Sequence, residues 1–425
     1  MNHDPGTSRR PDWLTPAVVG AMLLSAFSGI AQFSVTAVAG DVGQELGHAT
    51  ETADLSSQLG LTATTLGVAL AIIRLASLPA LAGGTLADRH GRRPVALTAT
   101  VVGLALTAAA SLSWTFWVWV ALVALARPWL STVNQVSSVM AAEEVNAKGR
   151  AWAVAAVGGA YGLGAGVMSV TRGLAGTPSF RLVLAGSLIP LLAMLVVRRL
   201  VHEPDLYRHV ADQPNRLRGH VPPRWRATLW WYCLVLGATG AVTGPGFTYL
   251  FVFGERVLDA SPAQMSLLVL AAGPIGGAGL LAGRAAADRW GRRPTCAATM
   301  VGTAIAVAVA YSDGFGALTV GYLAGIAAAG AFGPAAGAML AEAFPTSMRA
   351  TAAGWATVAG VLGGVFGLAV FGALADRFGD FGPAAAFIAV PVALTAVAFR
   401  QLPETRGHEL DEQDRWLGTG QVSTP

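Results

Sequence analysis

The chain has 425 residues, of which 54% are hydrophobic and only 12% are charged. A soluble domain carries about twice that share of charged residues, so the composition excludes an ordinary soluble globular protein. The formal net charge of +4 does not indicate a nucleic-acid surface, because the bases lie in short segments between long apolar runs. The two cysteines, Cys233 and Cys296, form neither a disulfide framework nor a metal-binding spacing.

Successive apolar runs follow one another along the chain, and most approach the length of about 20 residues that a helix needs to cross the hydrocarbon. The first run follows a polar tail and is too long for the core of a secretory signal. The predicted spans are 14–39, 59–86, 95–112, 115–141, 151–171, 182–200, 228–253, 264–287, 295–312, 316–341, 351–374 and 383–400. The sequence therefore predicts an all-α polytopic membrane protein.

Arginine residues are distributed unequally between the two sets of loops. With the N-terminus placed inside, the outside segments hold only Arg172, Arg181, Arg256 and Arg377, whereas the remaining loops hold many more bases. The excess of bases on one side predicts a multi-pass protein of the cell membrane with both termini in the cytoplasm.

Two loop segments, 83–94 and 283–294, have nearly the same sequence, and Asp88 and Asp288 occupy the same place in them. Two further pairs of segments keep nearly the same offset, so three matches in register indicate an internal duplication. The matched segments are Glu144 to Arg150 with Glu342 to Arg349, and 202–205 with 403–405. We predict an N-terminal six-helix bundle at 1–200, a cytoplasmic linker at 201–226, a C-terminal six-helix bundle at 227–401 and a cytoplasmic tail at 402–425.

The duplicated loops resemble the signature of the major facilitator superfamily, which lies between helices 2 and 3 and recurs between helices 8 and 9. The resemblance covers essentially the whole chain and implies the major facilitator fold, with twelve transmembrane helices in two pseudo-symmetric six-helix bundles. Gly333-Pro334, 341–346 and 402–407 resemble the branch that contains sugar porters and metabolite:proton symporters.

Several positions depart from the patterns of that branch. Sugar porters have a proline and a sugar-facing tryptophan where this chain has Ala336 and Gly337, and the helix 1 aspartate of proton-coupled sugar porters has no match, with Ser34 nearest its place. These departures weigh against a plain hexose:proton symporter. The helix 5 proline motif of drug exporters is absent from 158–166, which weighs against a drug:proton antiporter.

The duplicated loops are the predicted gating elements. An acid at the end of one helix can hold an arginine and a neighbouring helix terminus, so the pair would lock one face and break on opening. The alternative is that the bases only anchor topology. The gating candidates are Gly83, Asp88, Arg89, Gly91, Arg92, Arg93, Glu144, Arg150, Asp288, Arg289, Gly291, Arg292, Glu342 and Arg349.

Arg74 and Arg127 lie near the middle of the second and fourth predicted spans, whereas every acid falls in a loop or at a span end. A charge in the middle of a membrane is costly and usually functional. Cations without an acidic partner in a cavity favour an anionic substrate, such as a carboxylate. The alternative is that each arginine bonds backbone carbonyls, hydroxyls or amides.

Three more residues are predicted to contact the substrate. Asn134 and Gln135 would extend a polar face beyond Arg127, and Tyr249 lies beside 243–246, whose glycines and proline predict a local break in the seventh helix. The common alternative is bonding across helices for the amides and packing for the tyrosine.

The sequence contains no Walker loop, and the glycine-rich segment 158–166 lies within a span, so we expect no enzyme activity, no cofactor and no metal. The expected partners are a small-molecule substrate, the lipid bilayer and protons as the candidate coupling ion, with no nucleic acid, and we expect a monomer. The leading function is a secondary active or facilitative transporter of a small polar metabolite, first an organic anion. The alternatives are a transporter of a neutral sugar-like metabolite, a drug exporter, and, in another class, a transporter-like solute sensor.

Proton coupling has no mid-membrane carboxylate or histidine to use in the predicted spans. Two routes stay open. One is uncoupled transport or exchange of anions, and the other is proton entry through Asp41 or together with the substrate.

Overall fold

The computed structural model describes residues 14–47, 55–145, 147–175, 179–203, 223–344 and 346–406. Twelve helices in these ranges are long and apolar enough to cross a membrane. We number them α1 (Pro16–Leu46), α2 (Ala63–His90), α3 (Arg92–Leu112), α4 (Phe116–Glu144), α5 (Trp152–Leu174), α6 (Phe180–Val197), α7 (Pro223–Arg256), α8 (Pro262–Trp290), α9 (Arg292–Ala310), α10 (Gly314–Ala343), α11 (Thr351–Phe378) and α12 (Phe381–Gln401). The predicted all-α membrane fold is confirmed, and each predicted span overlaps one helix.

Three of these helices are interrupted by a turn. The α-helical segments are Ala63–Leu75 and Ala80–His90 in α2, Phe180–Ala185 and Leu188–Val197 in α6, and Pro223–Thr248 and Leu250–Arg256 in α7. In α2 the second segment begins after Pro79, which fixes φ and has no N–H to continue the first segment. A short helix, Leu55–Leu59, lies between α1 and α2.

The sequence prediction of a break at 243–246 in α7 is wrong by a few residues. The helix runs through Pro245 to Thr248, and the interruption falls at Tyr249. Because proline has no N–H, Pro245 cannot donate to the carbonyl of Ala241. That carbonyl lies against Gly367 of α11, where an added β-carbon would collide with it. The helix therefore continues through the proline at a place where α7 and α11 are closely packed.

The chain folds into two compact units, and their described residues fall within 1–38 and 76–214 for the first and within 39–75 and 215–425 for the second. The chain passes between the units inside α1 and at the turn of α2. The second unit thus includes the C-terminal end of α1 and the first segment of α2. The two six-helix bundles remain a prediction from the duplication.

Small residues allow the helices of each unit to approach closely. In the first unit a β-carbon on Gly29 of α1 would collide with the carbonyl of Tyr161 in α5, and one on Gly164 of α5 would collide with the carbonyl of Ala26. In the second unit a β-carbon on Gly363 of α11 would collide with the carbonyl of Gly237 in α7. These contacts place α1 beside α5 in the first unit and α7 beside α11 in the second unit.

Candidate functional site

Arg127 lies in the middle of α4 and is half-buried in the first unit. Its Nε atom is buried and has no hydrogen-bond partner, and no ion pair to its guanidinium exists among the described residues. Tyr161 of α5 interacts with it electrostatically. A charged group at this depth is normally paired or lines a cavity, so Arg127 is an unneutralised cation inside the first unit.

A polar seam joins α1 to α4 beside this arginine, and we define it as Ser25, Ser28, Gln32 and Asn134. The Ser28 hydroxyl donates to the carbonyl of Leu130 at 2.9 Å, and the Gln32 amide donates to the Ser28 hydroxyl at 2.8 Å. The Ser25 hydroxyl donates to Asn134 Oδ1 at 3.3 Å. The two serines and Gln32 are buried, so the seam is a satisfied polar network inside the first unit.

The seam brings an amide to the level of Arg127. Helices α1 and α4 cross the bilayer in opposite directions, Gln32 lies one turn after Ser28, and Arg127 lies almost one turn before Leu130. Gln32 and Arg127 are therefore on the same side of the Ser28–Leu130 hydrogen bond. A glutamine is neutral, so it offers hydrogen bonds at that level without cancelling the positive charge.

The first motif loop, 83–94, holds a charge network. Arg92 pairs with Asp88 at 3.0 Å and with both oxygens of Glu143 in α4, at 3.1 Å and 3.0 Å. The Glu203 carboxylate, after α6, accepts the backbone N–H groups of Arg92 at 2.6 Å and Arg93 at 3.0 Å. These two N–H groups open α3 and lack helical acceptors, so Glu203 caps the helix and complements its dipole.

The second motif loop, 283–294, repeats this arrangement in the second unit. Arg292 pairs with Asp288 at 2.8 Å and with Glu342 at 3.3 Å. Glu404 accepts the backbone N–H groups of Arg292 at 2.9 Å and Arg293 at 3.1 Å. Gly291 turns the chain at φ 111°, a left-handed conformation that favours glycine. The internal duplication therefore extends to the contacts of the loop.

The opposite ends of the helices in the second unit carry a different set of polar contacts. Asp376 of α11 accepts the N–H of Ala63 at 2.8 Å and the N–H of Thr64 at 2.7 Å, and the Thr64 hydroxyl also donates to it. We call this the Asp376 cap. Arg256 of α7 pairs with Asp41 of α1. These contacts tie the ends of α1 and α2 to α7 and α11.

A buried aromatic cluster lies beside the cap. The Tyr249 hydroxyl donates to the carbonyl of Ala63 at 3.2 Å, and its ring lies 5.0 Å from Phe371 and 5.6 Å from Phe381. Tyr311 donates to the carbonyl of Gly246 at 3.0 Å, and burial raises the pKa of its phenol well above the usual value. The Tyr311 hydroxyl thus stays protonated and remains a donor.

The sequence pattern of the Major Facilitator Superfamily matches residues 21–286 and 256–422, which together cover most of the chain. The chain belongs to the Major Facilitator Superfamily. The resemblance carried by the motif loops is confirmed, and the protein is a multi-pass membrane transporter of small solutes.

Proteins that are similar to this chain in sequence or in structure include three transporters. A probable 4-methylmuconolactone transporter of Cupriavidus pinatubonensis is 27% identical over 286 residues, which span 64% of this chain and 66% of that relative. The inward-open xylose transporter XylE of E. coli matches with a TM-score of 0.73 and 17% identity over 94% of this chain and 98% of XylE. The nucleoside transporter NupG, in a variant form, matches with a TM-score of 0.72 and 14% identity over 91% of this chain and 99% of NupG. At these identities the two structures show a shared fold.

The structure distributes the predicted substrate residues over both units. Arg127, Asn134 and the exposed Gln135 lie on α4 in the first unit. Arg74 lies in the second unit, where its Nε would be 3.2 Å from a β-carbon on Gly364. Tyr249 has no exposed surface and belongs to the aromatic cluster. We therefore leave Tyr249 out of the proposed substrate site.

The predicted gating residues also take different places. Glu342 contacts Arg292, and in the first loop Arg92 contacts Glu143, which is not among the predicted gating residues. Arg89 and Arg289 are exposed, the Arg349 Nε is buried, and the side chain of Arg150 lies outside the described residues. An added β-carbon on Gly83 would collide with Thr132 of α4, and Gly91 turns the chain at φ 98°.

Sequence reasoning did not identify the polar residues of α1 or the capping role of Glu203 and Glu404. The signal for the two glutamates was present, because they follow the sixth and twelfth spans at matching places in the duplication. Ser25, Ser28 and Gln32 gave a weaker signal, a polar stripe at helical spacing, which does not by itself specify the neighbouring helix.

Proposed function

We propose that this transporter moves a small organic anion by alternating access, and that Arg127 binds the carboxylate of that anion. The observation that carries the proposal is the buried Nε of Arg127, together with a guanidinium that no described residue neutralises. Such a cation is costly in a membrane protein unless water or an anionic ligand compensates for it. A bound carboxylate would supply the missing charge.

The chemistry around Arg127 suits a carboxylate that is attached to a polar molecule. The planar guanidinium can donate two parallel hydrogen bonds to the two carboxylate oxygens. The seam uses the Gln32 amide nitrogen and the Asn134 amide oxygen, so Gln32 Oε1 and Asn134 Nδ2 are the neutral groups proposed for the rest of the solute, and Tyr161 adds a hydroxyl. Arg74, the other arginine predicted from the sequence, stays a candidate contact.

The relative from Cupriavidus pinatubonensis supports the same chemical class, since a muconolactone is an organic anion. That support concerns the class alone, because the match spans 64% of this chain. We therefore propose the class of small carboxylates as substrates, and no particular member of it.

We place both motif loops and both termini on the cytoplasmic side, from the distribution of the bases. The Asp88–Arg92–Glu143 network and its repeat would then act at the cytoplasmic ends of the helices. The Asp376 cap and the Arg256–Asp41 pair lie at the opposite ends, where they must separate if that side is to open. Each set of contacts would thus be broken in one part of the cycle.

We propose that transport is uncoupled from protons or exchanges one anion for another. In the described helices every carboxylate lies at or near a helix end, and Gln32 is the buried polar residue of α1 at the level of Arg127. A proton would have to arrive through Asp41 or with the substrate to be coupled.

The proposal is tested by uptake into liposomes that contain the purified full chain. A set of small radiolabelled carboxylates is competed with their neutral amides, which have nearly the same size. We expect one class of carboxylates to be taken up and to compete, while the matched amides do not. If neutral sugars or amides compete as well as the acids, the protein is a transporter of neutral metabolites. Binding without uptake would instead indicate a solute sensor.

A further inference from the structure

A groove on the surface of the first unit runs between α3 and α6. Its main part has a volume of about 570 Å³ and is lined by apolar side chains, including Leu97, Val101, Leu192 and Leu195, with Arg198 at one end. A second cavity of about 560 Å³ continues it and shares Leu97 and Thr98. This second part is polar and is lined by Arg93, His202 and Glu203. The groove therefore has an apolar shaft and a charged end.

The shaft lies within two membrane-spanning helices and faces outward. Leu192 is 66% exposed, Leu195 is 60% exposed and Val101 is 42% exposed. Apolar side chains that are exposed on a spanning helix face the hydrocarbon of the bilayer. The shaft therefore suits a lipid acyl chain.

The charged end contains two arginines without an acidic partner among the described residues, Arg93 and Arg198, and they differ in how their side chains are held. Arg93 is held by the segment that follows α6, because its Nε donates to the carbonyl of Val201 at 2.8 Å. Glu203 is occupied by the backbone N–H groups that open α3. The Arg198 side chain is exposed, lines the shaft and forms no ion pair with a described residue. Arg198 is thus available to an anion at the level where lipid headgroups lie.

The second unit contains a smaller groove between the corresponding pair of helices. It lies between α9 and α12, the helices that correspond to α3 and α6 in the duplication, and has a volume of about 310 Å³. Its lining includes Ile305, Val309, Ser312 and Val390 and contains no base. Ile305 and Val309 match positions 105 and 109 in the duplication, whereas the first groove is lined by 97–102, so the two grooves lie at different levels along the corresponding helices.

We propose that the groove between α3 and α6 binds an anionic phospholipid. One acyl chain lies in the shaft between Leu97, Val101 and Leu192, and the phosphate contacts Arg198 with Arg93 beside it. Charge complementarity selects an anionic headgroup, because a base near the membrane surface attracts such a lipid. This site is separate from Arg127 and does not depend on the identity of the transported solute.

The test measures lipid binding directly, by native mass spectrometry of the full chain in detergent. Phosphatidylglycerol and phosphatidylcholine with the same acyl chains are titrated onto the wild type, Arg198→Gln and Arg199→Gln. Arg199 is the matched control, because it is the adjacent exposed base and does not line the groove. We expect phosphatidylglycerol to bind about fivefold more weakly to Arg198→Gln, since a juxtamembrane base contributes about 1 kcal/mol. We expect the affinity of Arg199→Gln to change by less than about twofold.

Two further measurements test whether binding needs the whole lipid or only its headgroup, and whether it occurs in the groove or anywhere on the surface. Leu192→Trp fills the shaft without changing charge, and it should weaken phosphatidylglycerol binding while the thermal unfolding temperature is maintained. Glycerol phosphate at millimolar concentration should not displace the lipid. The proposal is overturned if the two phospholipids bind equally, or if the two arginine variants lose the same affinity. It is also overturned if Leu192→Trp binds phosphatidylglycerol as the wild type does, or if glycerol phosphate displaces the lipid.

Discussion

The Asp376 cap allows a prediction that can be worked out from its hydrogen bonds. Each carboxylate oxygen accepts a backbone N–H from the first turn of α2, Ala63 on one side and Thr64 on the other. In Asp376→Asn one of these oxygens becomes an amide nitrogen, so at most one of the two backbone bonds survives and the negative charge at the helix N-terminus is lost. Loss of a cap together with a favourable helix-dipole interaction costs about 1–2 kcal/mol.

This loss should appear as more frequent local opening of the first turn of α2. A cost of about 1–2 kcal/mol raises the open population by about 5- to 30-fold. Hydrogen–deuterium exchange of peptides that cover 61–70 should therefore accelerate by that factor in Asp376→Asn. Peptides from α4 in the first unit should exchange as in the wild type.

Asp380→Asn is the matched control for this experiment. Asp380 also caps a helix, since it accepts the N–H of Gly382 at 3.0 Å at the start of α12. Its loss should leave exchange in 61–70 unchanged. If Asp376→Asn also leaves this exchange unchanged, the carboxylate does not hold α2, and the cap has no role in closing that side.

Three other predictions follow from the loops, the packing and the charge distribution. Glu143→Gln should slow initial uptake more than Asp88→Asn does, because the Asp88 side chain is 43% exposed and that of Glu143 only 18%. Exposed ion pairs contribute about 1 kcal/mol or less. Equal uptake rates of the two variants at equal expression would contradict this prediction. Gly283→Ala should lower the free energy of unfolding by about 1–3 kcal/mol, because the added β-carbon meets the backbone of α10. Gly277 has open space around it, so Gly277→Ala should leave thermal unfolding unchanged. Equal effects of the two substitutions would refute the packing argument. An imposed pH gradient without counter-substrate should not drive uphill uptake into vesicles. If the substrate does accumulate, and a protonophore abolishes this accumulation in the Asp41→Asn variant as well, both the uncoupled mode and the Asp41 route are contradicted.

The sequence predicted the helices and the motif loops well, because their signals are local or repeated. Apolar runs of membrane length locate the spans, and the duplication places Asp88 and Asp288 in equivalent loops. Arg292 and Glu342, two of the gating candidates taken from the repeat, contact each other.

The partners of the polar residues could not be predicted in the same way. Glu203 caps Arg92 across 111 positions of sequence, and Ser28 bonds Leu130 across 102, so each contact depends on which helices are neighbours. Glu143 and Glu144 are adjacent, and only the rotation of α4 decides which of them reaches Arg92. The position of Tyr249 beside a glycine-proline segment predicts a substrate contact, but packing against Phe371 of α11 and Phe381 of α12 buries it.

The most direct test of the central claim is the charge preference of the substrate site with and without the Arg127 guanidinium. Equilibrium binding of a transported carboxylate and its matched amide is measured for the wild type, Arg127→Lys and Arg127→Gln, each checked for membrane insertion and thermal stability. We expect the wild type to prefer the acid, and Arg127→Gln to bind the acid at least about 30-fold more weakly, because loss of one partner of a buried charge pair costs about 2–5 kcal/mol. Binding of the amide should change little, and Arg127→Lys should keep part of the preference. An Arg127→Gln variant that still prefers the acid as strongly as the wild type does would contradict the account.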